Sequence, residues 1–289
     1  MTASASYANA PVVPEIANVG QTLSQVRPDS SKFPQMSDSL TRLLQLSEDE
    51  RINLRILDLL VAKDPVAIVR LITLASSASF GRTKPINTVH EALQVLGATQ
   101  AVDALLTLWT MASLALPDNL HFVRDHLVRH TFSSLASVRR FVSYGEYTEI
   151  STYDTQMLTL VAKISAGLVF RDTRDIAGQA ALTQVATNKS HGLLHSKGLA
   201  NTFLLAAGLG TAWGLPERLI DTLSELAQWR TVTTPRRPLN DMLLLAELLL
   251  DTTVEHEASP QWRTVTEHNK VFQDLRRRNI EPRSLLFKL

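Results

Sequence analysis

Hydrophobic residues recur at helical spacing from residue 33 onward. Met36, Leu40, Leu43 and Leu44 fall on one face of a helix, the spacing of an amphipathic helix that packs on a core. Before residue 33 the chain is rich in Ala, Ser, Asn and Pro and has no such periodicity. Residues 1–32 are therefore predicted to form a flexible leader.

Helix start and stop signals divide residues 33–117 into five short predicted helices. Capping boxes, N-cap residues followed by proline, and glycine or proline stops are the signals that mark such boundaries. In chain order they are the pairs Ser47/Glu50, Asp64-Pro65 and Thr88/Glu91, and the stops Gly97 and Pro117. Five helices joined by short turns indicate a compact helical bundle.

Longer helices are predicted in residues 118–289. The stretch "TYDTQMLTLVAKISAGLVF" is apolar nearly all round, which is typical of a central helix. Gly214 and Pro216 mark a stop and a restart, and "QWRTVTEHNKVFQDLRRRN" reads as one amphipathic last helix. No strand alternation and no internal repeat stand out, so the predicted fold class is all-α.

Composition adds limits but no activity. Lys and Arg number 29 and Asp and Glu 28, for a net charge of +1, so no global field favours nucleic acid or membrane. There is no cysteine, which excludes disulfides, thiolate metal sites and cysteine nucleophiles. With no secretory signal and no apparent run of about 20 apolar residues, we expect a cytoplasmic protein without a membrane span.

Two histidine pairs have the i, i+4 spacing that could share a metal ion. They are His126 with His130 and His191 with His195. Neither pair has the glutamate of an H-E-x-x-H motif, and spacing marks no third ligand. Surface or packing histidines are the favoured interpretation, and metal binding by either pair stays open.

Two further stretches could suggest chemistry. "LASSASFGRTKP" (residues 74–85) is neither a G-x-S-x-G elbow nor a Walker loop, and its small residues favour close helix packing over a nucleophile. Arg276, Arg277 and Arg278 could contact phosphates, but no aromatic residues are interleaved with them. A solvated face at a helix end is the simpler interpretation, and nucleic acid is an unlikely partner.

The first half of the chain resembles the HDOD family, a group of bacterial signalling modules related to the HD phosphohydrolases. The matching stretches are "FPQMSDSLTRLLQL", "LVAKDPVAIVRLITLASSASFG" and "PINTVHEALQVLGATQAVDALL". Ser76 stands where the family usually has Asn. The resemblance implies an all-α, HDOD-like fold, in which a five-helix N-terminal subdomain (residues 33–117) packs on a degenerate HD-type helical bundle (residues 118–289).

The second half resembles the HD-like part of that family more weakly. His130 takes the position of the first histidine, Ala162 and Lys163 take the His-Asp positions, and Leu226-Ala227 replaces a later His-His pair. Ala offers no lone pair, and a Lys beside a cation is repulsive, about 4 kcal/mol for two unit charges at ~4 Å and an effective dielectric of 20. The resemblance thus implies no catalytic metal, no cofactor and no enzyme activity.

The function implied is a non-catalytic role in bacterial signal transduction through a protein partner or small ligand. Any binding site is expected in a cleft near His130 and Lys163. The apolar "LNDMLLLAELLLD" suggests a homodimer. The alternatives are a metal-dependent phosphohydrolase with a non-standard histidine site and a nucleic-acid-binding regulator that uses the C-terminal basic helix.

Overall fold

The computed structural model describes residues 33–48, 52–77, 86–114, 116, 121–172, 197–228, 237–251 and 266–286. Within these ranges every regular element is helical, which confirms the all-α prediction. The predicted leader (residues 1–32) and the pair His191 and His195 lie outside the described residues.

The described residues form a series of α-helices and one 3-10 helix. In chain order they are α1 (Asp38–Glu48), α2 (Leu54–Val61), α3 (Pro65–Ala75), α4 (Val89–Ala112), α5 (His121–Gly145), α6 (Thr152–Asp172), α7 (Lys197–Ala212), α8 (Glu217–Ala227), α9 (Pro238–Asp251), α10 (Lys270–Arg277) and a 3-10 helix, η1 (Pro282–Leu285).

Two of the three predicted helix starts are confirmed. The Asp64 carboxylate accepts the backbone N–H groups of Val66 and Ala67, each at 3.0 Å, at the start of α3. At the start of α4 the Thr88 hydroxyl accepts the Glu91 N–H at 3.2 Å, and the Glu91 carboxylate accepts the Thr88 N–H at 3.3 Å. These bonds satisfy N–H groups that have no partner within the helix.

The third predicted start is wrong. Ser47 lies inside α1 rather than at the cap of α2. The N-cap of α2 is Asn53, whose side-chain oxygen accepts the Ile56 N–H at 3.0 Å. Asn is as good an N-cap as Ser, so several residues here could cap a helix and the spacing alone selected the wrong one.

Gly97 interrupts α4 as its sequence position predicts. Its φ of 71° and ψ of 165° are non-helical and divide the element into two helical segments. No atom lies within 4 Å of the place where a Cβ would be. The requirement for glycine therefore comes from backbone conformation and not from crowding.

The predicted single C-terminal helix is wrong at Asn269. This residue is extended (φ −92°, ψ 106°), and its side chain accepts the Phe272 N–H at 2.8 Å to start α10. The Asn269 side-chain amide also donates to the Asp241 carbonyl at 2.7 Å. A tertiary contact with α9 therefore supports a helix start where the hydrophobic period alone predicted continuity.

Helices α4 and α6 lie at the centre of the fold. α6 packs against α1, α4, α5, α7 and α8, which confirms its predicted central place, and α4 packs against α1, α2, α3, α5 and α6. Much of the apolar face of α9 is turned inward, since Leu243, Leu244, Leu245 and Leu249 are buried. The apolar stretch that suggested a homodimer is thus occupied within the protein, and dimerisation stays a prediction.

The expectation that no stretch resembles a membrane span needs correction for α4. Among the described residues, α4 is the one helix that is long and apolar enough to cross a membrane. Most of the apolar stretch of α4 is buried within the protein. The helix also contains the break at Gly97 and the buried carboxylate of Asp103. These features are typical of a core helix. In lipid, both the backbone groups left without helical hydrogen bonds at Gly97 and the carboxylate of Asp103 would be unfavourable.

Candidate functional site

Helices α5 and α6 and the end of α4 pack closely at Gly167. A Cβ on this residue of α6 would overlap the side chain of Leu114, just after α4, and come within 3.3 Å of Leu127 on α5. From this level, α5 runs antiparallel to α4 and α6. Residues of α4 and α6 that lie one to three turns before this level therefore face residues of α5 that lie one to three turns after it.

Asp103 marks the far end of this three-helix contact. It is fully buried on α4, where its carboxylate accepts a hydrogen bond from the Arg139 guanidinium of α5 and one from the Gln156 side-chain amide of α6 at 2.9 Å. Burial raises the pKa of Asp103, while the Arg139 charge and the Gln156 hydrogen bond oppose the rise. The cluster joins three helices through one carboxylate.

His130 and Lys163 form the second polar contact, one turn from Gly167. The Lys163 ammonium lies 2.7 Å from His130 Nδ1, and the Ser134 hydroxyl lies 3.5 Å from the same nitrogen. Lys163 is buried. A Lys ammonium can only donate, so Nδ1 is the nitrogen that accepts from it in this contact.

Two threonines of α4 lie between these contacts. Thr107 and Thr110 are one and two turns beyond Asp103 on the same helix face, and both are buried. Within the part of the chain that the structure describes, neither hydroxyl has a hydrogen-bond partner. We refer to Asp103, Arg139, Gln156, His130 and Lys163, together with these threonines, as the polar seam.

The residues at the HD positions do not fit a metal ion. His130 offers one nitrogen, and Lys163 already occupies its Nδ1. Ala162 has no donor atom, and Leu226 is buried in the apolar core. Among the described residues, no three His, Asp or Glu side chains come together as a metal-binding group. The side chain of His126, on α5, lies outside what the structure describes.

The three consecutive arginines are held in ion pairs. Arg276 contacts Glu281 at 2.7 Å, Arg277 contacts Asp274 at 2.8 Å, and Arg278 contacts Glu146 at 3.1 Å. Each charge is therefore partly neutralised in place. This arrangement is typical of a solvated helix end and supports the interpretation given to these residues from the sequence.

The structure brings His130 and Lys163 together, as the family resemblance implied. It also shows the Asp103 cluster, which sequence reasoning missed. The signal was present, because Asp103 is the only charged residue in the predicted apolar helix "AVDALLTLWTMASLAL". A single carboxylate in an apolar helix is rarely buried without a partner.

Comparisons with known proteins agree on one fold. A model of the HDOD domain matches residues 33–228. An HDOD domain protein of unknown function from Geobacter sulfurreducens is 17% identical, with a TM-score of 0.51 over 93% of this chain and 96% of that chain. A protein from Shewanella amazonensis SB2B, provisionally named a metal-dependent phosphohydrolase, is 14% identical, with a TM-score of 0.53 over 90% and 94%.

The response regulator MmoQ from Methylococcus capsulatus (strain Bath) is more distant. It is 17% identical, with a TM-score of 0.35 over 85% of this chain and 96% of that chain. No curated protein matches the chain. At such low identities the Geobacter and Shewanella structures show the HDOD-like fold alone and leave function to the residues of this chain.

Proposed function

Because this chain belongs to the HDOD domain family, we propose that it is a non-catalytic regulatory protein of bacterial signal transduction. It acts by binding a protein partner or a small ligand in the cytoplasm, without metal or cofactor. The proposal includes the finer division into an N-terminal subdomain (residues 33–117) and a degenerate HD-type bundle (residues 118–289).

One contact carries this proposal: the Lys163 ammonium at 2.7 Å from His130 Nδ1. A histidine binds a metal through the lone pair of a ring nitrogen. Here the Lys163 Nζ lies at hydrogen-bond distance from Nδ1, so a metal at that nitrogen would have to displace Lys163. It would also lie beside a like charge. Among the described residues, a hydrolytic metal centre at the His130 position would therefore lack both the ligands and the electrostatics that it needs.

The same contact suggests where a small ligand would bind. A buried ammonium, an imidazole and two buried hydroxyls on the facing helix could all contact a polar molecule. A ligand at this position would touch α4, α5 and α6 at once. It could thus change how these helices pack, which is the step that a regulatory protein needs to pass on a signal.

Metal analysis and a hydrolysis assay test the proposal together. Protein purified without chelator, then incubated with Mn²⁺ or Fe²⁺, is assayed by elemental analysis and with bis(p-nitrophenyl) phosphate. We expect no stoichiometric metal and no rate above buffer, in wild type and in the matched variant His130→Ala alike. Stoichiometric metal, or hydrolysis that His130→Ala abolishes, would establish the phosphohydrolase alternative.

Ligand binding is tested by thermal shift with nucleotides and cyclic dinucleotides. A ligand of the polar seam should raise the melting temperature of wild type and not that of Lys163→Met. A ligand that shifts both proteins equally binds elsewhere, and the cleft near His130 and Lys163 would then be rejected.

A further inference from the structure

Helices α2 and α3 form an outer layer on α4, and their outward faces are apolar. Both helices pack on α4. Their inward residues are Leu57, Val61, Ala67, Leu71 and Ala75, all buried. On the opposite faces Leu59, Val66 and Val69 are 66%, 69% and 62% exposed. Helical spacing places these three side chains roughly half a turn away from the buried stripe.

This exposure is concentrated in one place. In the described part of the chain five large apolar side chains are exposed, and three of them are Leu59, Val66 and Val69; the others are Tyr144 and Leu204. Single exposed aliphatic residues are normal on a soluble protein. A group of them on adjacent helices is typical of an interaction site.

Three cations surround this apolar group. Arg55 lies one turn before Leu59, Lys63 lies in the turn between the helices, and Arg70 follows Val69; all three are exposed. We call these residues, with Leu59, Val66 and Val69, the α2–α3 surface. Within the described residues none of its three cations forms an ion pair. Elsewhere Arg139, Arg218, Arg237, Arg276, Arg277 and Arg278 form ion pairs, whereas Arg42 and Arg129 form none within the described residues.

The nearby carboxylates already have partners. Asp58 lies 3.4 Å from the His90 imidazole. Asp64 caps α3 through one oxygen, and its other oxygen accepts the Trp109 indole N–H at 2.8 Å. The α2–α3 surface therefore combines exposed aliphatic side chains with three exposed cations that form no ion pair within the described residues.

Charge decides between the possible occupants. In a symmetric dimer the same patch faces itself, so Arg55, Lys63 and Arg70 would meet their own copies, and like charges oppose such a contact. A membrane surface would satisfy the charges. However, helices that lie in a membrane interface present a wide apolar face with aromatic residues, and residues 54–75 contain no aromatic residue.

We propose that the α2–α3 surface binds an acidic amphipathic helix of a partner protein. Its aliphatic side chains would cover Leu59, Val66 and Val69, and its Asp and Glu residues would pair with the surrounding cations. This inference rests on the proposed regulatory function, for which it supplies the partner class. It does not involve His130 or Lys163.

Selection from a displayed library of helical peptides tests the partner class directly. Wild type is the target, and Lys63→Glu/Arg70→Glu and Val66→Ser/Val69→Ser are the counter-targets. We expect the selected peptides to have aliphatic residues at i, i+3 or i+4 flanked by Asp and Glu. Their Kd should weaken by about tenfold or more in both double variants and should weaken further as salt is raised.

Matched control variants are available on other faces of the protein. Leu204→Ser removes an equally exposed aliphatic residue, and Arg277→Glu reverses an exposed cation. Both should keep the Kd within about twofold of wild type, since surface changes away from an interface have small effects. Circular dichroism melts of every variant verify that each one is folded.

Three outcomes would overturn the proposal. The selected peptides could be neutral or basic, or could bind the double variants as tightly as wild type. Mixed phosphatidylcholine and phosphatidylserine vesicles could bind wild type and not the variants, which would assign the surface to a membrane. Sedimentation could show a dimer that Val66→Ser/Val69→Ser abolishes. None of these results depends on metal content or hydrolysis, so they leave the test of the proposed function separate.

Discussion

Replacement of Arg139 by Met should expose the energetic role of the Asp103 cluster. The change keeps much of the apolar stem and removes the guanidinium that donates to the Asp103 carboxylate. Asp103 is fully buried, and the Arg139 side chain is only 26% exposed. Removal of one partner from a buried ion pair destabilises a protein by about 3–5 kcal/mol, because the other charge stays buried without compensation.

We expect a loss near the lower end of that range, about 3 kcal/mol, because Gln156 still donates to Asp103 at 2.9 Å. Urea unfolding followed by circular dichroism measures this loss as a shift in midpoint at constant slope. A change in slope would mean that the variant no longer unfolds in two states, and the free energies would then not be comparable.

The loss should also depend on pH in a defined direction. Burial raises the pKa of Asp103 above its ordinary value of 3.8, and Arg139 is the largest opposing influence. Without Arg139 the pKa rises further, so the folded state binds its proton more tightly than the unfolded state does. The stability from that proton is fully present below the unfolded pKa and is lost as pH rises through the folded pKa. Arg139→Met should thus lie closest to wild type at acidic pH.

A double variant provides the control. Asp103→Leu/Arg139→Met removes both charges together, and apolar replacement of a whole buried pair is often neutral or stabilising. The double variant should therefore recover most of the stability that Arg139→Met loses. The reasoning is refuted if Arg139→Met unfolds within about 0.5 kcal/mol of wild type, which is the range of an ordinary surface change, or if the double variant is less stable than the single one.

Three further changes test local features of the fold by urea or thermal unfolding. Ala75→Leu should cost about 1–3 kcal/mol by overpacking a fully buried position, and a melting temperature equal to that of wild type would reject close packing at this helix end. Gly97→Ala should cost about 1–3 kcal/mol, because φ 71° and ψ 165° are almost closed to other residues. As a control, Gly208→Ala should change stability little, since its new Cβ would lie at an ordinary 3.8 Å from the Phe33 ring. Asp64→Ala should cost about 0.5–2 kcal/mol as a lost N-cap, and more than Asn53→Ala, because Asp64 also accepts the Trp109 N–H; equal losses would show that the indole bond adds nothing.

Local signals in the sequence were sufficient for most of the fold. Asp64-Pro65, Thr88 with Glu91, and Gly97 act through neighbours within four residues, so their effect can be read from spacing alone. At the start of α10 the local cap of Asn269 on the Phe272 N–H was outweighed in the prediction by a continuous hydrophobic period, and the supporting bond from the Asn269 amide reaches the Asp241 carbonyl, 28 residues earlier in the chain. A contact of that kind competes with the hydrophobic period and leaves no local trace in it.

The polar seam is harder to predict for the same reason. Arg139 and Gln156 lie 36 and 53 residues after Asp103 in the chain. The packing of α4, α5 and α6 brings the three side chains together. The family resemblance identified His130 and Lys163, but it could not show that an ammonium occupies the nitrogen a metal would need. The contact between Lys163 and His130 gives a physical reason against metal binding at this position, in addition to the presence of Ala162 and Lys163 at the His-Asp positions.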